Sequence, residues 1–370
     1  MDRESAYLDY NATAPAKPGV AEAMADAVRQ GGNASSVHSR GRAARRLIAG
    51  ARAKLAAAVG ARAGDVVFTS GGTEANRLAL AGTGRSRLLT TAVEHPSVAA
   101  FCPPGRHLPV DGAGRLDLAA LERALAEGDA SDTLVSVMLA NNETGVVEPV
   151  AEAAAIAHAA GALLHCDAVQ GLGKLPLDLE VLGADLLTVS AHKIGGPAGV
   201  GALVLRPGQA LAANREAGGQ EQGRRPGTEN LAGIAGFGAA LDHLNAMLAD
   251  APRQQALRQR LEAALAGAAP VFGRQAPRLA NTVCLAMPGV PAETQVMAFD
   301  LAGFCVSAGS ACSSGKVQAS PVLRAMGVAP DLAASAVRVS IGQETTAAEI
   351  DAFACAWKQL YARKQAAAQG

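Results

Sequence analysis

Leu163-Leu164-His165-Cys166-Asp167-Ala168-Val169-Gln170, followed by Ala184-Asp185-Leu186-Leu187-Thr188-Val189-Ser190-Ala191-His192-Lys193, decides the fold of this chain. Each is a short apolar run that ends in a charged residue. Upstream, Thr133-Leu134-Val135-Ser136-Val137-Met138-Leu139 reads as another buried strand, and the Ala-rich stretch from Val150 to Ala160 reads as a helix. Strands alternating with helices predict an α/β fold with a mainly parallel sheet covered by helices. In such a sheet, residues at the carboxyl ends of the strands border the ligand crevice.

Lys193 stands at one of those ends. A lysine amine attacks carbonyl compounds when it is partly deprotonated, which burial beside a second cation promotes; His192 is the expected second group. A solvated surface lysine has the same local pattern. Asp167 ends the other strand, before the turn at Gly171 and Gly173. A carboxylate there suits a pyridinium nitrogen, and it equally suits the cap of a turn. Further upstream, the strand Asp65-Val66-Val67-Phe68-Thr69-Ser70 runs into Gly71-Gly72-Thr73-Glu74-Ala75-Asn76 and a helical run from Arg77 to Ala81. Glycines at a strand-to-helix turn aim backbone N–H groups at a phosphate, and Thr73 adds a hydroxyl. The pattern is neither the dinucleotide nor the P-loop fingerprint.

Together these stretches resemble a cysteine desulfurase of the NifS/IscS type, within the class V aminotransferase-like, fold type I pyridoxal phosphate enzymes. The resemblance runs nearly end to end, through Tyr7 to Thr13, Gly32 to His38, Thr69 to Asn76, Val93 to Val98 and Asn141 to Gly145. It continues through Asp167 to Gln170, Ser190 to Lys193, Gly218 to Glu221, Gly227 to Asn230, Ser307 to Ser314 and Val337 to Ser340.

The resemblance implies pyridoxal 5'-phosphate as cofactor and L-cysteine as substrate, with L-alanine and an enzyme persulfide as products. Lys193 would carry the cofactor and then move the substrate α-proton. Asp167 would keep the ring nitrogen protonated, Gln170 would meet the phenolic oxygen, and His95 would stack on the ring, with an acid or base role near the substrate thiol left open. Gly72, Thr73, Ser190 and His192 would bind the phosphate, with Thr228 contributed by the second subunit of a homodimer. Asn142 would lie near cofactor and substrate, and the planar fork of Arg338 would take the α-carboxylate. Cys312 would attack the substrate sulfur and hand it to an acceptor protein such as an iron–sulfur scaffold. A selenocysteine lyase or another class V aminotransferase would share Lys193, Asp167 and the phosphate cradle, and an aminotransferase would not need Cys312. The chain departs from the family pattern with Gly72 where Ala is frequent, Ala191 where Gly also occurs, and Pro226 where Ser is common. Pro321 is expected to restrict the Cys312 segment.

Composition agrees. The 370 residues are 49% hydrophobic and carry no formal net charge, which suits a large core and disfavours a nucleic-acid footprint. No apolar run of membrane-spanning length occurs, and the mixed charges of Met1 to Ser5 give no secretory signal, so the cytoplasm is expected. Six cysteines, with no CxxC pair, predict neither disulfides nor a structural metal. Cys312 alone lies in a polar small-residue segment, with Lys316 near to favour its thiolate; a transient iron–sulfur contact is the one metal role foreseen for it. A long helical pattern from Gly236 to Ala266 is interrupted at Pro252. The expected division is a large cofactor-binding domain at 14–250 and a small α+β domain built from 1–13 and 251–370.

Overall fold

The computed structural model describes residues 5–103, 106–211, 218–309 and 320–369. Thirteen strands run through them: β1 (Ala6–Tyr7), β2 (Val66–Thr69), β3 (Arg87–Thr91), β4 (His107–Leu108), β5 (Thr133–Met138), β6 (Leu163–Asp167), β7 (Leu186–Ser190), β8 (Gly201–Leu205), β9 (Val271–Phe272), β10 (Thr282–Ala286), β11 (Phe304–Cys305), β12 (Ser307–Ala308) and β13 (Ala336–Ser340). Seven form one sheet in the order β2-β8-β7-β6-β5-β3-β4. Neighbours from β7 to β4 pair in parallel, and β8 runs antiparallel to both β7 and β2.

Every residue of β2, β5, β7 and β8 is buried, as expected of a sheet covered on both faces. The two-residue period of a strand sorts the side chains. Val66, Phe68, Val135, Val137, Leu187, Val189, Ala202 and Val204 join the larger apolar cluster, while Val67, Leu134, Leu186, Leu203 and Leu205 join the cluster on the other face. The helix Ser39–Ala58 contributes Ile48, Ala51 and Leu55 to the first cluster, and the helix Gly72–Gly82 contributes Ala75 and Ala79 to the second. The helix at Val150–Ala160 has the expected bounds, whereas the helix expected from Arg77 begins at Gly72, inside the glycine turn.

The smaller α+β domain holds the antiparallel sheet β12-β13-β10-β9. On one of its faces Val283, Leu285, Val337 and Val339 pack with Leu257, Leu261, Phe299, Phe353 and Trp357. On the other, Cys284, Ala286 and Ala336 meet Val93 and Met138 from the large sheet's carboxyl edge. Arg338 pairs directly with Cys284 across the strands, so the same alternation turns it toward that edge. Pro252 breaks no helix. It lies in the first turn of Ala251–Ala264, where the missing N–H needs no partner, and the preceding helix ends at Ala249. Pro321 likewise opens the helix Pro321–Ala325, capped by Ser320 Oγ accepting from the Leu323 N–H. Among the described residues, no helix is long and apolar enough to cross a membrane.

Candidate active site

Where β2, β5, β6 and β7 end, a cavity of about 360 Å³ opens against the small domain, bordered by Gly72, Thr73, His95, Asn142, Asp167, Gln170, Ser190, His192, Lys193 and Arg338. These are all the expected site residues except Thr228, which is exposed, and Cys312, which lies outside the described residues.

Asp167 closes β6 and is 5% exposed. Its Oδ1 accepts from the Val169 N–H at 3.0 Å and its Oδ2 from Asn76 Nδ2 at 2.7 Å. The cradle is tight. Gly71 precedes the helix Gly72–Gly82 at φ 150° and offers no side-chain cap, so the first-turn amides remain available to another acceptor. A Cβ on Gly72 would come within 2.9 Å of Val169 Cγ2. Asn76 Oδ1 is buried without a partner among the described residues.

Lys193 sits in the turn after β7, which Gly195 closes at φ 78°; a Cβ there would lie 2.6 Å from the Pro15 carbonyl. Its Nζ donates to the carbonyls of Asn11 at 2.7 Å and Ala12 at 2.8 Å. His192 does not supply a second charge, because burial, reinforced by Lys193, pushes it down to about 4 and leaves it neutral near pH 7. The second amine is Lys174. Burial, then Lys193 and Arg338, draw it well below the usual lysine range. Its Nζ reaches Asn11 Oδ1 at 2.7 Å and also Gln170 Oε1.

Asn11, 1% exposed, joins these groups. Its carbonyl also accepts from Gln170 Nε2 at 2.9 Å, and its Nδ2 donates to Thr282 Oγ1 at 2.9 Å and the Asn142 carbonyl at 3.3 Å. Arg338, 5% exposed, donates from Nη1 to the Asn142 carbonyl at 2.9 Å and from Nη2 to Asp9 Oδ1 at 2.6 Å, while its buried Nε has no partner among the described residues. Asn11, Asp9, Asn76 and Lys174 do not stand out as site residues in the sequence. The available signal was a polar residue within a glycine-rich or apolar run, which does not say what it will face.

Residues 6–353 match the sequence profile of the Aminotransferase class-V family. The chain belongs to that family. A cysteine desulfurase of Cereibacter sphaeroides is 43% identical over 366 residues, covering 94% of this chain and 93% of the relative, which places this class-V aminotransferase among the cysteine desulfurases. The crystal structure of a NifS-like protein from Rickettsia africae superposes with a TM-score of 0.89 at 35% identity, covering 96% of this chain and 99% of that one. A structure described as SspA in complex with cysteine matches with a TM-score of 0.79 at 27% identity, over 92% of this chain and all of that one, 100%. The fold type I architecture expected from the sequence is thereby established for this class-V member.

Proposed function

We propose that this protein is a pyridoxal 5'-phosphate-dependent cysteine desulfurase that converts L-cysteine to L-alanine and carries the released sulfur as a persulfide on Cys312. The observation that carries the reading is the convergence of Lys193, Asp167, His95 and Arg338 on one cavity at the carboxyl edge of the sheet. The residues present fit the cofactor: the amides that open the helix at Gly72 are free of a side-chain cap, and Asp167 accepts hydrogen bonds on both carboxyl oxygens. When bound, pyridoxal phosphate supplies an electron sink that weakens the bonds at the substrate α-carbon.

Under this reading Gly72, Thr73, Ser190 and His192 hold the phosphate, joined by Thr228 from the second subunit of a homodimer. Asp167 faces the ring nitrogen, Gln170 the phenolic oxygen, and His95 the ring face. Lys193 anchors the group by its amine and, once released, holds or moves the proton at the α-carbon. Arg338 receives the α-carboxylate beside Asn142. The Cys312 thiolate attacks the substrate sulfur: the S–S bond forms as the Cβ–S bond breaks, its electron pair returns to the carbon skeleton, and a proton completes the methyl group of alanine. A sulfur-acceptor protein, such as an iron–sulfur scaffold, then takes the outer sulfur by thiolate exchange. Chemistry that needs a free thiol suits a reducing cytoplasm. The boundaries that go with this reading are a large domain at 14–250 and a small one from 1–13 with 251–370.

Alanine formation from L-cysteine, with a thiol reductant present, tests the proposal in the cofactor-loaded wild type and in Cys312→Ala. Alanine is expected from the wild type and is lost in the variant while the bound-cofactor absorbance stays intact. Equal rates in both, or no alanine from either, would overturn it.

A further inference from the structure

His95 ends the loop after β3 and caps the short helix Pro96–Ala99. Its Nδ1 accepts from the Ser97 backbone N–H at 3.1 Å and lies 2.8 Å from Ser97 Oγ. Ser97 Oγ in turn accepts from Asn76 Nδ2 at 2.9 Å, and Asn76 Nδ2 also reaches Asp167 Oδ2 at 2.7 Å. The proton on each link follows from its partners. An ionised carboxylate can only accept, so Asn76 must turn its amide nitrogen to Asp167. That orientation gives both amide hydrogens away, one to Asp167 and one to Ser97 Oγ, and leaves Asn76 Oδ1 as the buried atom without a partner. The opposite flip would set two acceptors against each other. With its oxygen already accepting from Asn76, Ser97 is free to donate its own hydrogen to His95 Nδ1.

We infer that Asn76 and Ser97 are positioning residues which transmit the charge of Asp167 to His95 and fix its imidazole as the tautomer protonated at Nε2. With Nδ1 engaged by two donors, the ring has no lone pair free to take a proton from substrate. His95 therefore serves the reaction as a stacking surface and an Nε2–H hydrogen-bond donor, and proton transfer at the α-carbon falls to Lys193. Only that last step rests on the proposed desulfurase reading; the tautomer does not. The electrostatics agree. Burial, with a contribution from Lys193 and against the opposing pull of Asp167, lowers the His95 pKa, and both contacts at Nδ1 favour the neutral ring. Asp167 and Lys193 are the charged groups that face it. Glu94, its chain neighbour, turns away to Thr91 and the Met138 N–H, and burial raises it well above the carboxylate range.

The test is long-range proton–nitrogen NMR of the full chain labelled at histidine, with the His95 signals assigned by their loss in His95→Gln and followed as pH is varied. The wild type should show Nε2 protonated and Nδ1 bare. Ser97→Ala keeps the backbone N–H at Nδ1 and so keeps Nε2 protonated, but it should raise the midpoint by about one pH unit, the shift expected from losing one hydrogen bond to the neutral form. Ser97→Thr, which keeps the hydroxyl, should restore the wild-type pattern. A proton on Nδ1 in the wild type would overturn the inference, as would a Ser97→Ala protein indistinguishable from wild type. The wild-type spectrum decides the matter even if the variants fail to fold. Because it needs neither cofactor nor turnover, a negative result here is separable from a failure of the alanine assay.

Discussion

Replacing Asn11 by alanine removes four side-chain hydrogen bonds at the junction of both domains: acceptance from Lys174 at 2.7 Å and Asn281 at 3.1 Å, and donation to Thr282 at 2.9 Å and the Asn142 carbonyl at 3.3 Å. The size of the effect depends on what the partners keep. Lys174 keeps Gln170, Asn281 Nδ2 keeps the Ile341 carbonyl, Thr282 keeps Asn281 Oδ1, and the Asn142 carbonyl keeps Arg338. No partner is left wholly unsatisfied, so the loss follows the net value of a hydrogen bond, about 1 kcal/mol each, and not the larger cost of a stranded buried group. Three good bonds and one long one give about 3 kcal/mol, with a small cavity adding less than about 1 kcal/mol. Urea unfolding of wild type and variant at one fixed protein concentration measures the difference. A loss below about 1 kcal/mol would show that these contacts carry no weight in the folded protein. One above about 6 kcal/mol would show that the second partners do not compensate.

Three further outcomes follow from the same geometry. Arg338→Gln should raise KM for L-cysteine by about 10–100-fold while changing kcat less, since a charge-assisted contact to the carboxylate is worth roughly 1.5–3 kcal/mol; an unchanged KM in steady-state assays would remove Arg338 from substrate binding. Gly72→Ala installs the residue frequent in the family 2.9 Å from Val169 Cγ2, a side-chain contact that a small shift relieves, so cofactor retention in dialysis should stay within about threefold of wild type; a larger loss would show that the cradle does not yield. Glu143 accepts from Ser320 and is pushed up to about 7 by burial, against the Ser320 hydrogen bond and Arg338. Between its unfolded pKa near 4.5 and about 7, the native state holds a proton that the unfolded chain has released, so stability falls as pH rises through that window, by up to ~3 kcal/mol. Glu143→Gln should abolish this component, and parallel pH–stability curves for the two proteins would refute it.

The sheet was legible because its signals are local. The apolar runs of β5, β6 and β7, each too short for a helix and separated by Ala-rich periodic stretches, leave one architecture that buries all of them. The ends of those runs then placed Asp167, Ser190 and Lys193 at one edge without further information. The breaks around Pro252 were less legible, because proline is compatible with the first turn of a helix and the residues between 241 and 251 adopt helical conformations on both sides. His192 is adjacent to Lys193 in sequence but supplies no charge to it, since sequence adjacency says nothing of burial, and burial holds it neutral.

What the sequence by itself determined was the α/β class, the carboxyl-edge location of the site and the placement of Asp167 and Lys193 there, because strand periodicity and glycine turns act within a few residues. Tertiary structure alone decided which distant groups meet them. Asn11 is 182 positions from Lys193 and Asp9 is 329 from Arg338. Their contacts arise when residues 6–11 hydrogen-bond along β13 and β11 and cross to the large sheet. The orientation of Arg338 toward the cavity, the choice of Lys174 as the second amine and the proton order from Asp167 to His95 all depend on packing between elements remote in sequence. Only the folded chain removes the water that would otherwise satisfy these groups and so makes each of them depend on one particular partner.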